Sequence, residues 1–208
     1  NIQCWHNCAI GMAALMLRDP DLLSFTIEGE VGVREQIEQG VNADGLWHEG
    51  SWGYHFYGMK PLLSWAIALR NCGLDLFNSR LRSMFEAPLK AVRPDGGLPA
   101  FHDSGGPQLS DTASHYEIAL STFEDPKFAF PIADDERDNL NALLYGMSTL
   151  PDPSRLPTQT AQLPDSGFVF MRQGSSARQT YAAFDYGPHG GGHGHPDKLS
   201  FVLYGAGQ

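Results

Sequence analysis

Pro151-Asp152-Pro153-Ser154-Arg155-Leu156-Pro157 divides the chain into two textures. Three prolines in seven residues remove backbone donors and hold the chain extended, so the stretch reads as a connector. After it, Gly167-Phe168-Val169-Phe170-Met171-Arg172, Thr180-Tyr181-Ala182-Ala183-Phe184-Asp185 and the run from Leu199 to Tyr204 are short β-prone segments separated by Gly, Ser and Pro turns. Before it the pattern is helical. Ala9 to Leu17 is an Ala/Met/Leu run closed by Arg18-Asp19-Pro20, and Leu23, Ile27 and Val31 recur at four-residue intervals ahead of Gly40. Pro61 to Leu69 ends at Asn71-Cys72-Gly73, where glycine suits a left-handed cap, and Leu76 to Val92 stops at Pro94-Asp95-Gly96-Gly97. Thr112 to Phe123 and Asp135 to Met147 complete the helical set, the second with acids in its first turn where the helix dipole favours them. Helices followed by strands, rather than alternating with them, predict an α+β chain of two layers. The expected plan is a helical array over residues 1–150 and the start of an antiparallel β-sandwich over 151–208.

The chain has 208 residues, 42% of them hydrophobic, enough for a substantial core. Lys and Arg number 14 against 24 Asp and Glu, a net charge of -10, which argues against a surface built to hold nucleic acid or an anionic membrane. No run approaches the length of a membrane span. Asn1-Ile2-Gln3-Cys4-Trp5-His6 lacks the order of a signal peptide, and with no initiating Met and a strand running into the last residues, the chain reads as an internal piece of a longer protein. Cys4, Cys8 and Cys72 are too few and too irregular for a disulfide framework; Cys4 and Cys8, four apart on a helix, read as small buried residues.

Two stretches carry more polar and aromatic groups than a plain core requires. Asp44-Gly45-Leu46-Trp47-His48-Glu49-Gly50-Ser51-Trp52-Gly53-Tyr54-His55-Phe56-Tyr57 reads as a glycine-bearing loop before a helix, with aromatic planes suited to stacking on sugar rings. Tyr186-Gly187-Pro188-His189-Gly190-Gly191-Gly192-His193-Gly194-His195-Pro196-Asp197-Lys198 holds three histidines within seven positions, threaded by glycine. If extended, it projects His193 and His195 to one side, a pair able to ligate a metal or divide labour between metal and substrate. A third, weaker signal is the helix opening, where Asn1 and Trp5 are four apart and can share a face, with His6 and Asn7 rotated away.

Taken together these stretches resemble the heparinase II/III-like polysaccharide lyases, including related alginate lyases. The resemblance rests on Asn1-x-x-x-Trp5-His6-Asn7, on Asp44-Gly45-x-Trp47-x-Glu49-Gly50-Ser51-x-Gly53-Tyr54-His55, on Leu163-Pro164-Asp165-Ser166-Gly167, and above all on Gly190-Gly191-Gly192-His193-Gly194-His195-Pro196-Asp197-Lys198. It implies an incomplete α/α toroid joined to an antiparallel β-sandwich with a cleft between them, and β-elimination at a uronic acid. The C5 proton of a uronate leaves only when the adjoining carboxylate is neutralised by amide or imidazole donors. A tyrosine can then act as base and acid when both protons lie on one face of the sugar.

Carried across residue by residue, the resemblance makes Tyr54 the catalytic tyrosine, with Tyr57 in reserve. Asn1 becomes the carboxylate-neutralising amide, with His6 standing in for a histidine that relatives carry where this chain has Ile2. His193 becomes the active-site histidine of the sandwich, and His195 a ligand of a structural zinc whose other ligands are expected beyond residue 208. Trp5, Glu49, Trp52, His55, Tyr57 and His189 are implied substrate contacts. The expected partner is an acidic polysaccharide or oligosaccharide, and the family expectation for localisation is bacterial periplasm or secretion. Two other readings stay open: a glycan-binding protein without turnover, and a glycoside hydrolase pairing Glu49 with Asp44 or Asp103.

Overall fold

The computed structural model describes residues 1–152, 157–175, 178–188, 192–196 and 198–205. Helix α1 (Ile2–Leu17) ends in a left-handed Arg18, and α2 (Pro20–Glu28) follows at once, because Asp19 accepts from the N–H groups of Asp21 and Leu22 while Pro20 occupies the first turn. The expected run through Val31 is broken: Gly29 and Gly32 separate α2 from α3 (Val33–Gly40), and Val31 is 49% exposed. Helix α4 (Trp52–Asn71) is the longest element and passes through Pro61. It starts earlier than its apolar stretch suggested, so Trp52 to Tyr57 form its first turns instead of lying in a loop. Helix α5 (Ser79–Ala91) is capped by Asn78, and α6 (Ala113–Phe123) closes the main helical layer. The helix expected from Asp135 to Met147 shrinks to α7 (Leu140–Tyr145), which buries none of its residues. Its upstream acids lie outside it: Asn139 caps α7, and Arg137 is drawn to the buried Glu117 of α6 at 2.6 Å. Gly11 lets α1 approach α4, since a Cβ there would lie 2.3 Å from the Trp65 ring.

Strands β1 (Ala161–Leu163), β2 (Phe168–Gln173), β3 (Thr180–Asp185) and β4 (Phe201–Tyr204) form one antiparallel sheet in the order β1-β2-β3-β4. Register pairs Phe168 with Asp185 and Phe170 with Ala183. Alternation therefore puts Phe168, Phe170, Tyr181 and Ala183, all buried, on the face that meets the helices. Phe168 stacks on Phe101 and Phe170 lies against Trp52, while Phe201 and Leu203 on the other face are 70% and 65% exposed. Burying each large side chain stabilises by about 1.5–3 kcal/mol, so apolar contact drives docking.

Polar contacts set where the layers dock. The Arg172 guanidinium donates to the carbonyls of Lys90 and Val92, and the Tyr181 hydroxyl to that of Ala91 at 2.7 Å. The sheet thus caps the C-terminus of α5. At the other end, the carboxylate of Asp44 accepts from both the backbone N–H and the hydroxyl of Ser166, each at 2.7 Å, and Asn42 donates to the same hydroxyl. Gly167, next in line, has φ 77° and lies so close to Gly187 that any Cβ would overlap that backbone. Among the described residues no helix is long and apolar enough to cross a membrane.

Asp44→Ala leaves the Ser166 N–H buried without its charged acceptor, a loss of about 3 kcal/mol. Urea denaturation is expected to show the midpoint falling accordingly, with Asp44→Asn intermediate.

Candidate active site

Four elements meet at the seam between helices and sheet: the start of α1, the loop 44–51, the first turns of α4, and the turn before β4 that carries His193. Tyr54, half-buried on α4, stacks face to face on His193, with ring centroids 3.3 Å apart and planes 9° from parallel. Glu49 lies beside them. One of its oxygens accepts from the Asn1 amide at 2.6 Å and the Trp47 indole at 2.9 Å; the other is 4.0 Å from His193 Nε2. Asn1, Glu49, His193 and Tyr54 therefore form one connected group. The Asn1 Nδ2 that serves Glu49 carries a second N–H.

The aromatic surface extends outward from Tyr54. Tyr57, one turn along α4 and 44% exposed, lies 6.2 Å from Tyr54 and 5.4 Å from Trp5 of α1. The Lys60 ammonium sits 6.0 Å from the Trp5 ring. A cavity of about 310 Å³ also borders Asn1, but it opens toward Val31, Gln36 and His48 and includes neither Tyr54 nor His193. Asn1, Tyr54 and His193 are each partly exposed at the seam.

Several expectations meet a different placement. His6 is exposed on α1 and shares no hydrogen bond or ion pair with the group among the described residues. Trp52 and His55, expected to touch substrate, are entirely buried. On α4 they point inward, Trp52 against Phe170, while His55 accepts the Trp47 N–H at Nδ1 and donates from Nε2 to the Met84 carbonyl. Their work is packing: His55 ties the 44–51 loop to α4 and α5. His189 lies outside the described residues. Asp44, a carboxylate of the hydrolase reading, is buried and bound to Ser166, so it faces no cleft.

His195 Nε2 is bonded to Asp103 Oδ1 at 2.6 Å, and no three His, Cys, Asp or Glu side chains converge for a metal among the described residues. Of the expected zinc set, whose other members are expected beyond residue 208, the described residues include His195. Hydrogen bonds from His195, then His193, hold the exposed Asp103 carboxyl below its ordinary range.

Comparison with known proteins agrees with this fold. Residues 155–208 match the family described as heparinase II/III-like, C-terminal, and residues 1–97 match the alginate lyase family. The two matches together cover most of the chain, each over less than half of it. Among solved structures, the heparan sulfate lyase HepC from Pedobacter heparinus superposes with a TM-score of 0.73 at 19% identity, covering 99% of this chain and 31% of that one. A heparinase III structure gives 0.69 at 16%, covering 97% and 32%. This chain thus spans about a third of the solved structures it resembles, with the same helical layer and antiparallel sheet. No curated protein matches it.

Full burial pushes His55 down to about 4 from an ordinary 6.5. The unfolded chain takes up that proton near 6.5 and the folded core does not, so the neutral ring's stability is present above about 6.5 and lost as pH falls toward 4. The difference is about 3 kcal/mol. Urea midpoints measured across that interval are expected to decline with acid, and His55→Gln to flatten the decline.

Proposed function

We propose that the protein is a polysaccharide lyase that cleaves a uronate-containing chain by β-elimination, with Tyr54 as the acid/base group. The observation that carries the reading is the stacked Tyr54–His193 pair beside the Asn1 amide, contributed by both layers of the fold. Elimination breaks the C5–H and C4–O bonds and forms a C4=C5 double bond; the proton removed from C5 is balanced by one delivered to the departing glycosidic oxygen. No water, oxidant or metal enters that balance. The reaction needs donors on the carboxylate, and the second N–H of the Asn1 amide supplies one, because charge on the incipient enolate is stabilised most by preorganised N–H groups. It needs proton exchange beside C5, which the half-buried phenol of Tyr54 and the ring of His193 provide. Trp5 and Tyr57 offer planes for neighbouring sugars.

Glu49 fits this chemistry better than a hydrolytic one. Its carboxylate is already engaged by Asn1 and Trp47, so it orients the amide instead of offering a proton. The proposed substrates are acidic polysaccharides such as alginate or heparan sulfate, and an enzyme acting on them works outside the cytoplasm.

Full-length protein incubated with alginate, heparan sulfate and hyaluronan is expected to raise ultraviolet absorbance near ~235 nm with at least one of them, since the product carries a conjugated double bond. Tyr54→Phe lowers that rate about 10³-fold. New reducing ends without the absorbance would rule out elimination.

A further inference from the structure

Between α5 and α6, the segment Phe101-His102-Asp103-Ser104 contacts both the start of α4 and the His193 turn, and Asp103, named above only as a possible hydrolase carboxylate, has no role yet in the lyase reading. We propose that Asp103 is the positioning residue of this site: its carboxylate holds His193 Nδ1, so that His193 exchanges protons with the sugar at Nε2 alone. The assignment rests on the lyase reading above and adds to it the device that orients one of its two proton-handling rings.

The geometry is specific. Asp103 Oδ2 lies 3.1 Å from His193 Nδ1, and its backbone N–H donates to the His193 carbonyl at 3.2 Å. A carboxylate only accepts, so Nδ1 carries the hydrogen. Nε2 is left on the side of Glu49, where Asn1 also points. Free histidine prefers the opposite tautomer only weakly, so one charge-assisted hydrogen bond is enough to decide which nitrogen faces the cleft.

The same segment also fixes the partner ring. The Asp103 carbonyl accepts from the Ser51 hydroxyl at 3.3 Å, and the Ser104 hydroxyl accepts from the Gly53 N–H at 3.2 Å. Gly53 immediately precedes Tyr54. The first turn of α4 and the His193 turn are therefore tied to consecutive residues of one loop, which sets the 3.3 Å stack between their rings. Beneath them His102, at φ 57°, anchors the loop. Its buried ring accepts the His195 N–H at Nδ1 and donates from Nε2 to the buried Asp185 of β3 at 3.2 Å. Asp185 in turn accepts from the Gly187 N–H, so the anchor reaches the sheet. His102 cannot be removed without stranding Asp185, whereas the Asp103 side chain is half-exposed and supports no core.

The test uses full-length protein and the variants Asp103→Ala and Tyr54→Phe, with the substrate on which the wild type releases the conjugated product. Asp103→Ala is expected to lower kcat about 10- to 100-fold, the usual effect of losing a group that orients a functional histidine, with KM changed less than about threefold. Nitrogen-15 spectra of the histidines give the second readout: His193 is an Nδ1–H tautomer in the wild type and moves toward Nε2–H in Asp103→Ala. An unchanged His193 tautomer, or wild-type kcat in Asp103→Ala while Tyr54→Phe is inactive, overturns the positioning role and leaves the lyase reading standing. Full activity of Tyr54→Phe overturns that reading itself.

Discussion

A buried carboxylate that accepts two hydrogen bonds from one serine is the constraint on which the two layers depend. Asp44 and Ser166 are 122 residues apart, and their contact sets where the turn before β2 meets the helical layer. Apolar burial supplies most of the stabilisation, but it has no direction and would tolerate a slide of the sheet across the helices. A shift of one residue along β2 would turn Phe168 and Phe170 outward and bring Val169 and Met171 in. Asp44 at one end, with Arg172 and Tyr181 gripping the last carbonyls of α5 at the other, pins the register in which these contacts form.

That register places the chemistry. Tyr54 belongs to a helix and His193 to a turn of the sheet. Once the layers are seated, their rings stack and Glu49 links them to Asn1. Hydrophobic residues close the seam behind: Trp52 and His55 sit under Tyr54 on the inward side of α4, so the phenol stands on a rigid floor. The outward side of the same helix carries Tyr57 toward Trp5. One helix thus separates packing from recognition by its 3.6-residue period.

Much of this was legible in the residues. Glycine-threaded histidines and the Gly53-Tyr54-His55 triplet pointed to the two rings that meet, and the prolines from Pro151 to Pro157 marked where helices give way to strands. Other features were misread for identifiable reasons. The aromatic stretch from Trp52 reads as loop because its glycines and mixed polarity hide the helical period, although it is the start of α4. The resemblance implies Trp52 and His55 as sugar contacts, but a motif does not say which side of a helix faces the core, and both are buried. The acids at 134–138 suggested a helix start, but Arg137 is held by a carboxylate of α6 and the helix begins only at Leu140. Asp103 stands in the sequence only as a possible partner of Glu49 in hydrolysis, and nothing local ties it to His193, 90 residues away.

By itself the sequence determined the order of layers, the alternation that gives the sheet one apolar face, and the residue types able to serve an elimination, because these follow from local periodicity and side-chain chemistry. Only the tertiary structure decided which of the candidates share a cleft. It joined Asn1 to Glu49, seated Tyr54 on His193, turned His55 into a buried strut and left His6 outside. The physical reason is that proton transfer and charge neutralisation depend on separations of a few ångströms, and contacts between residues about 50 to 140 positions apart arise from packing, which no local pattern encodes.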